Sequence, residues 1–156
     1  MELFDRNKLK ILTLSYRESK SYIEKIAIKP DDLLPSFPDD YSTLEKIAKT
    51  IKNAISNKRA VILAYGAHVI KNGLGPILQA MIKQGFITHL ATNGAGSIHD
   101  WEFAFQGKTE EDVRKYCAKG QFGIWKETVD YINLAVLLGA SLEEGYGESV
   151  GKLICN

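Results

Sequence analysis

Residues 60–65 read AVILAY, and residues 86–91 read FITHLA. The first is an unbroken apolar run, which is typical of a strand that is buried on both faces of a parallel sheet. The second, which includes Thr88 and His89, predicts a second core strand. Between the runs, a helical segment settles after Gly75-Pro76 and ends at Gly85, a residue type that commonly follows a helix. The stretch therefore predicts a strand-helix-strand crossover with two parallel strands side by side.

Helical patterns flank this crossover on both sides. Upstream, Ser42 and Glu45 form a capping box, and apolar residues from Leu44 to Ile55 recur at helical spacing. Downstream, a short helix is expected over 98–105, and residues 109–112, TEED, are typical of a helix start with acidic residues in its first turn. That helix should end at Gly120, with further helices over 125–138 and from residue 142 onward.

The first forty residues predict an irregular arm. They contain a possible short strand at 10–14 and a short helix at 19–26, followed by prolines that interrupt regular structure. We therefore expect an arm of residues 1–40 and an α/β nucleotide-binding-like domain of residues 41–156. Because only two core strands are convincing, the domain is expected to be truncated at its C-terminus, although undetected strands in a complete domain are an alternative.

Composition limits the classes of partner. The 156 residues carry a formal net charge of +1, which gives no reason to expect a nucleic acid or an anionic membrane. No signal peptide or apolar span is visible, and Cys117 and Cys155 match neither a disulfide framework nor a metal pair. These features predict a cytoplasmic protein without a membrane segment.

Two loops follow the predicted strands, and ligands of parallel α/β sheets bind beyond the carboxyl ends of such strands. The loops span residues 66–75 and 92–100, and both are rich in small residues that allow a ligand close to the backbone. Neither contains GxGxxG or a phosphate-binding GxxxxGK[ST] motif. Ligand binding and simple tight turns therefore both remain open.

Histidines follow each predicted strand. His68 and His99 could project into one cleft, where His99 and Asp100 could serve as a base with its neighbour or as ligand contacts. The alternative is that each histidine is a hydrogen-bonded structural residue. A zinc site is not favoured, because close metal-ligand spacing is missing.

Residues 65–127 resemble the deoxyhypusine synthase family of NAD-dependent enzymes with a Rossmann-like fold. The likeness is carried by residues 66–73, GAHVIKNG, and is best over residues 92–100, TNGAGSIHD, which is placed like the family's Thr-Thr-Ala-Gly-Gly loop. The resemblance implies a Rossmann-like parallel sheet, an NAD cofactor, an amine substrate and a homo-oligomer. Carried over position by position, the cofactor contacts would fall on Gly66, His68, Lys71, Asn72, Thr92, Asn93, Gly94, Ala95 and Gly96.

This chain departs from the family where two consecutive glutamates would stand, since it has Ile98-His99 there. The family's catalytic lysine belongs to a C-terminal half that the resemblance does not reach. Two hypotheses follow. The first is that the chain is the NAD-binding half of a transferase that acts on an amine, with His99 and Asp100 as catalytic residues. The second is that it is a non-catalytic or differently specific relative that acts as a binding or assembly module.

Overall fold

The computed structural model describes residue 5, residues 8–32 and residues 41–155. It is 58% helical and 11% strand, so it is mixed α/β with small sheets. The α/β class is confirmed at this level. In chain order the described elements are a 3-10 helix Leu14–Tyr16, β1 Ser19–Tyr22, α1 Ile23–Ile26, α2 Ser42–Ser56, β2 Ile62–Ala64, α3 Ala67–Lys71, α4 Gly75–Lys83, β3 His89–Ala91, α5 Gly94–Gln106, β4 Lys108–Glu111, α6 Val113–Ala118, α7 Lys126–Ser141 and α8 Tyr146–Cys155.

The contacts within the chain define two compact units, which we name by their position in the sequence. The central unit comprises residues 23–97, and the terminal unit comprises residues 1–22 and 98–156. The predicted arm of residues 1–40 and the predicted domain of residues 41–156 have other boundaries than these two units. That division of the chain stays a prediction.

In the central unit, β2 and β3 pair in parallel, as the two apolar runs predict. Ile62 lies opposite His89, and Ala64 lies opposite Ala91. Each strand is three residues long, shorter than the apolar run that contains it. Helices α3 and α4 connect the two strands, so the crossover predicted from the sequence is present with one additional short helix.

Burial of these strands on both faces was predicted, and that prediction is wrong for this chain. Ile62 is 66% exposed and Leu90 is 40% exposed. The reason lies in the surrounding layers. Among the described residues no third strand extends the pair, and α2 has no buried residue despite its apolar face.

The terminal unit contains an antiparallel pair, β1 and β4, in which Ser21 lies opposite Thr109. Its core is aromatic: Tyr116 and Trp125 meet edge to face, with ring centroids 5.0 Å apart. Leu14 and Trp101 complete this buried cluster. Both tryptophans of the chain therefore lie in the core of the terminal unit.

Residues 109–111 belong to strand β4, where a helix start was predicted over 109–112. Thr109 is completely buried and pairs with β1, so tertiary contacts override the local acidic pattern. The helix begins after Asp112, whose carboxylate caps it by accepting the Lys115 backbone N–H at 2.9 Å. Helix α6 ends before Gly120, which has φ +65° and supports the predicted helix end.

The N-terminal predictions require a similar correction. Residues 19–26 form β1 and one helical turn instead of a helix, because residues 19–22 pair with β4. The strand expected at 10–14 is reduced to one bridge between Leu12 and Trp125. Upstream of β2, α2 begins at Ser42 with Tyr41 as its N-cap, so the predicted cap lies one position inside the helix.

No helix in the described ranges has both the length and the apolar character that crossing a lipid bilayer demands.

Candidate ligand-binding edge of the parallel pair

The two predicted ligand loops begin at the same edge of the parallel pair. Because Ala64 and Ala91 lie opposite each other, the chain leaves both strands at one level. Beyond that level, the Tyr65 backbone N–H donates to the Ala91 carbonyl at 2.9 Å. The Thr92 hydroxyl then donates to the Tyr65 carbonyl at 3.0 Å. Thr92, the first residue of the second loop, is thus hydrogen-bonded to Tyr65, the residue directly before the first loop.

Most of the first loop is helical. Gly66 is the N-cap of α3, with extended backbone angles of φ −100° and ψ 177°. His68 is exposed, Lys71 is half-buried at the last position of α3, and Asn72 is the exposed C-cap. The predicted loop of 66–75 is therefore an N-cap glycine, a short helix and the turn that leads into α4.

The second loop is shorter than predicted, because α5 begins at Gly94 and not near residue 98. Asn93 makes this early start possible: its side-chain oxygen accepts the Gly96 N–H at 3.1 Å, and its carbonyl accepts the same N–H at 3.0 Å. Helix geometry directs the first-turn amides of Gly94 and Ala95 outward from this end. An anion would be favoured there by the helix dipole.

The glycines of these loops differ in the space around them. A Cβ atom added to Gly66 or Gly94 would meet nothing within 4 Å. A Cβ added to Gly96 would lie 2.2 Å from the hydroxyl oxygen of Thr92. Gly96 is thus required for close packing within the loop, whereas Gly66 and Gly94 leave room that a ligand could occupy.

The predicted catalytic residues, His99 and Asp100, lie in the second turn of α5 and belong to the terminal unit. His99 is half-buried, and its Nδ1 lies 2.7 Å from the hydroxyl of Thr109. That hydroxyl donates to Glu102, which is 2% exposed. His99 is therefore attached to a buried polar network of the terminal unit, which fits its structural interpretation and leaves its catalytic role a prediction.

Sequence reasoning missed the centre of this network, the ion pair between Arg17 and Glu102. Both terminal guanidinium nitrogens donate to the carboxylate at 2.7 Å, and the two side chains are 3% and 2% exposed. Thr128 donates to the same carboxylate at 2.9 Å. A local pattern could not reveal the pair, because its members stand 85 positions apart in the sequence.

Asp100 as a whole is exposed to solvent. Protein atoms near its carboxyl group nevertheless remove part of the hydration of that group and raise its pKa above the ordinary 3.8. The folded protein therefore binds a proton more tightly than the unfolded chain does. The free energy of unfolding accordingly falls as pH rises from 3.8 through the raised pKa of Asp100.

Carboxyl titration by NMR should place the pKa of Asp100 above 3.8 and that of Asp112 below 3.8. Asp112 is the internal control, because the Lys115 backbone N–H donates to it and lowers its pKa. Asp100→Asn should leave stability at neutral pH unchanged or raise it by no more than about 0.5 kcal/mol, because it removes a charge that the fold partly desolvates. Equal pKa values for the two aspartates would contradict this assignment.

In the part of the chain that the structure describes, no group of three or more His, Cys, Asp or Glu side chains could hold a metal ion. Comparison with known proteins returned no matching family model, no matching curated protein and no matching solved structure.

Proposed function

We propose that this chain binds NAD or a related dinucleotide at the edge formed by residues 66–75 and 92–100. The observation that carries the proposal is the parallel pairing of β2 and β3, which brings both glycine-containing loops to one carboxyl edge. Binding beyond that edge is the general rule for ligands of parallel α/β sheets. The open space at Gly66 and Gly94 supports a close approach of the ligand to the backbone.

The roles of the remaining polar residues follow from their positions. The pyrophosphate would lie against the first-turn amides of α5, where the Gly94 N–H and the helix dipole favour negative charge. His68 is exposed on α3, and Lys71 ends that helix, so both are candidates for contacts to phosphate or ribose. The Rossmann-like description of the fold belongs to this proposal.

Within the resemblance to deoxyhypusine synthase, the chain would be the cofactor-binding part of a transferase that acts on an amine. NAD would supply a hydride acceptor when bound. Asp100 would hold or exchange a proton, an activity that its raised pKa favours. His99 would orient that part of α5 through its hydrogen bond to Thr109. A homo-oligomeric state is part of the same proposal.

A non-catalytic relative that acts as a binding or assembly module is the second candidate. The contact between His99 and Thr109 favours it, because a histidine held in a buried network has a structural role without any reaction. The replacement of the family's acidic pair by Ile98-His99 points in the same direction. Dinucleotide binding without turnover would distinguish this candidate from an enzyme.

The proposal is tested by calorimetric titration of NAD into the full chain and into two variants. Gly94→Val fills the open space at the start of α5, where an added Cβ atom meets nothing within 4 Å. Asn93→Asp retains a helix cap, because aspartate caps as well as asparagine, but it adds a negative charge beside the pyrophosphate. Each should weaken NAD binding at least about tenfold, equivalent to about 1.4 kcal/mol.

Gly147→Val is the matched control, since Gly147 is the second residue of α8 and its Cβ position is also open. This variant should bind NAD like the original chain. Gly96→Val is unsuitable because its side chain would collide with Thr92 and disturb the loop directly. If the folded original chain takes up no NAD, or if all three variants bind equally, the dinucleotide proposal is wrong.

A further inference from the structure

A cavity of about 510 Å³ lies in the terminal unit, between the segment 8–18 and the C-terminal part of α6. Small-molecule sites typically have volumes of about 300–1,000 Å³, so the cavity is large enough for a metabolite. Its charged lining residues are Lys8, Lys10, Glu18, Lys115 and Lys119. Four lysines against one glutamate make the lining cationic, although the chain as a whole is nearly neutral.

One of these positive charges is already compensated. The Lys115 Nζ atom lies 2.5 Å from the carboxylate of Glu18. That contact lowers the pKa of Glu18 and raises the pKa of Lys115, so both groups stay charged at neutral pH. Within the described ranges, Lys8, Lys10 and Lys119 form no ion pair. Three lysines therefore remain available to an anion.

The wall of the cavity is fixed by Tyr116, which is only 4% exposed. Its hydroxyl oxygen accepts the backbone N–H of Glu18 at 2.8 Å, which joins the segment 8–18 to α6. The Nζ atoms of Lys115 and Lys119 lie 5.8 Å and 5.9 Å from the centre of the tyrosine ring, within the range of cation–π attraction. The aromatic ring thus restrains two of the four lysines.

A second aromatic residue lines the cavity in a different way. Tyr16, at the end of the 3-10 helix, is 72% exposed, so its ring is open to solvent. Exposed aromatic rings next to lysines provide a stacking surface for planar groups that carry phosphates. The cavity therefore offers both a cationic lining and a flat apolar surface.

We propose that this cavity binds a phosphate-bearing small molecule with a planar ring, such as a nucleoside diphosphate. Its phosphates would lie among Lys8, Lys10 and Lys119, and its ring would stack on Tyr16. The site shares no residue with the dinucleotide edge of the central unit, so the two proposals can fail independently.

Calorimetric titration with ADP and with inorganic pyrophosphate tests the lysines. Lys119→Gln should weaken the binding of both probes about fivefold, the effect of one solvent-screened charge at contact distance. Glu18→Gln should instead strengthen both about fivefold, because it releases Lys115 from its ion pair. Lys49→Gln, an exposed substitution on α2, is the control and should change neither affinity.

Tyr16→Ala tests the planar group separately. It should weaken ADP about tenfold through loss of stacking, while pyrophosphate binding stays the same. The site is refuted if the folded original chain binds neither probe, or if Lys119→Gln and Lys49→Gln weaken binding equally. ADP binding that is lost in Gly94→Val and unaffected by Lys119→Gln would assign ADP to the central unit and also refute this site.

Discussion

Replacing Glu102 by alanine should lower the free energy of unfolding of the terminal unit by about 3–5 kcal/mol, because the substitution leaves the buried Arg17 without its counter-charge. Arg17 is 5% exposed and cannot regain hydration without opening the core. Two threonine hydroxyls, of Thr109 and Thr128, also lose the acceptor to which they donate. Tryptophan fluorescence during urea unfolding measures the change, since Trp101 and Trp125 both lie in this core.

Glu148→Ala is the matched control, because Glu148 also lies on a helix and pairs with a lysine, but its side chain is 58% exposed. Exposed pairs of this kind contribute about 0–1 kcal/mol. The double variant Arg17→Met, Glu102→Leu should recover part of the lost stability, since apolar replacement of both partners removes the unpaired charge although the two threonine hydroxyls still lack their acceptor. A loss below about 1 kcal/mol for Glu102→Ala would mean that Arg17 is not dependent on this carboxylate.

Gly73→Ala should destabilise the central unit by about 3 kcal/mol or more, through left-handed backbone strain together with a steric collision. Gly73 has φ +83°, and a Cβ atom there would lie 2.0 Å from the carbonyl oxygen of Ile26. Since the obstacle is backbone, no side-chain rotation can relieve the collision. The segment around Ile26 must move, and the bond from the Ile28 N–H to the Gly73 carbonyl, 2.9 Å long, is lost with it.

Hydrogen exchange of the Ile28 amide is the measurement, because that amide reports on the contact that the substitution should break. Exchange should become faster by a factor of about 100, as a loss of about 3 kcal/mol implies. Gly94→Ala is the control: Gly94 also lies in the central unit, its Cβ would meet nothing within 4 Å, and alanine at the start of α5 favours the helix. Protection of Ile28 that is the same in Gly73→Ala as in the original chain would refute the strain argument.

The sequence predicted the parallel pair well because its signal is local. Apolar runs bounded by Lys58-Arg59 on one side and Gly66 on the other can be read without knowing their neighbours. The exposure of the same strands could not be predicted from the sequence, because it depends on how many other elements cover them. Ile62 has the residue type of a core position and is nonetheless 66% exposed.

For strand β4 the sequence predicted the wrong type of secondary structure. Residues 108–111, KTEE, resemble the first turn of a helix, and only the pairing with residues 19–22 makes them a strand. Thr109 and Glu102 are likewise polar residues that a sequence pattern would place on the surface, although both are buried. Their burial depends on Arg17, whose distance along the chain hides the connection.

The candidate site was predicted in part. Both loops follow the strands as expected, so the common edge was accessible from pattern and resemblance. The early start of α5 was missed, although Asn93 is a preferred N-cap residue and stands directly before Gly94. The sequence could not show that Gly94 has open space around it and Gly96 has none. The hydroxyl of Thr92 lies against Gly96 only in the folded structure.

The salt bridge between Arg17 and Glu102 has a consequence for the order of events during synthesis. Its two members are separated by 85 positions, and the residues between them include the whole central unit. At about 5–20 residues per second, a ribosome needs about 4–17 s to add the second partner after the first. During that interval the nascent segment that carries Arg17 has no native partner for its guanidinium group, while the central unit can already complete its own contacts.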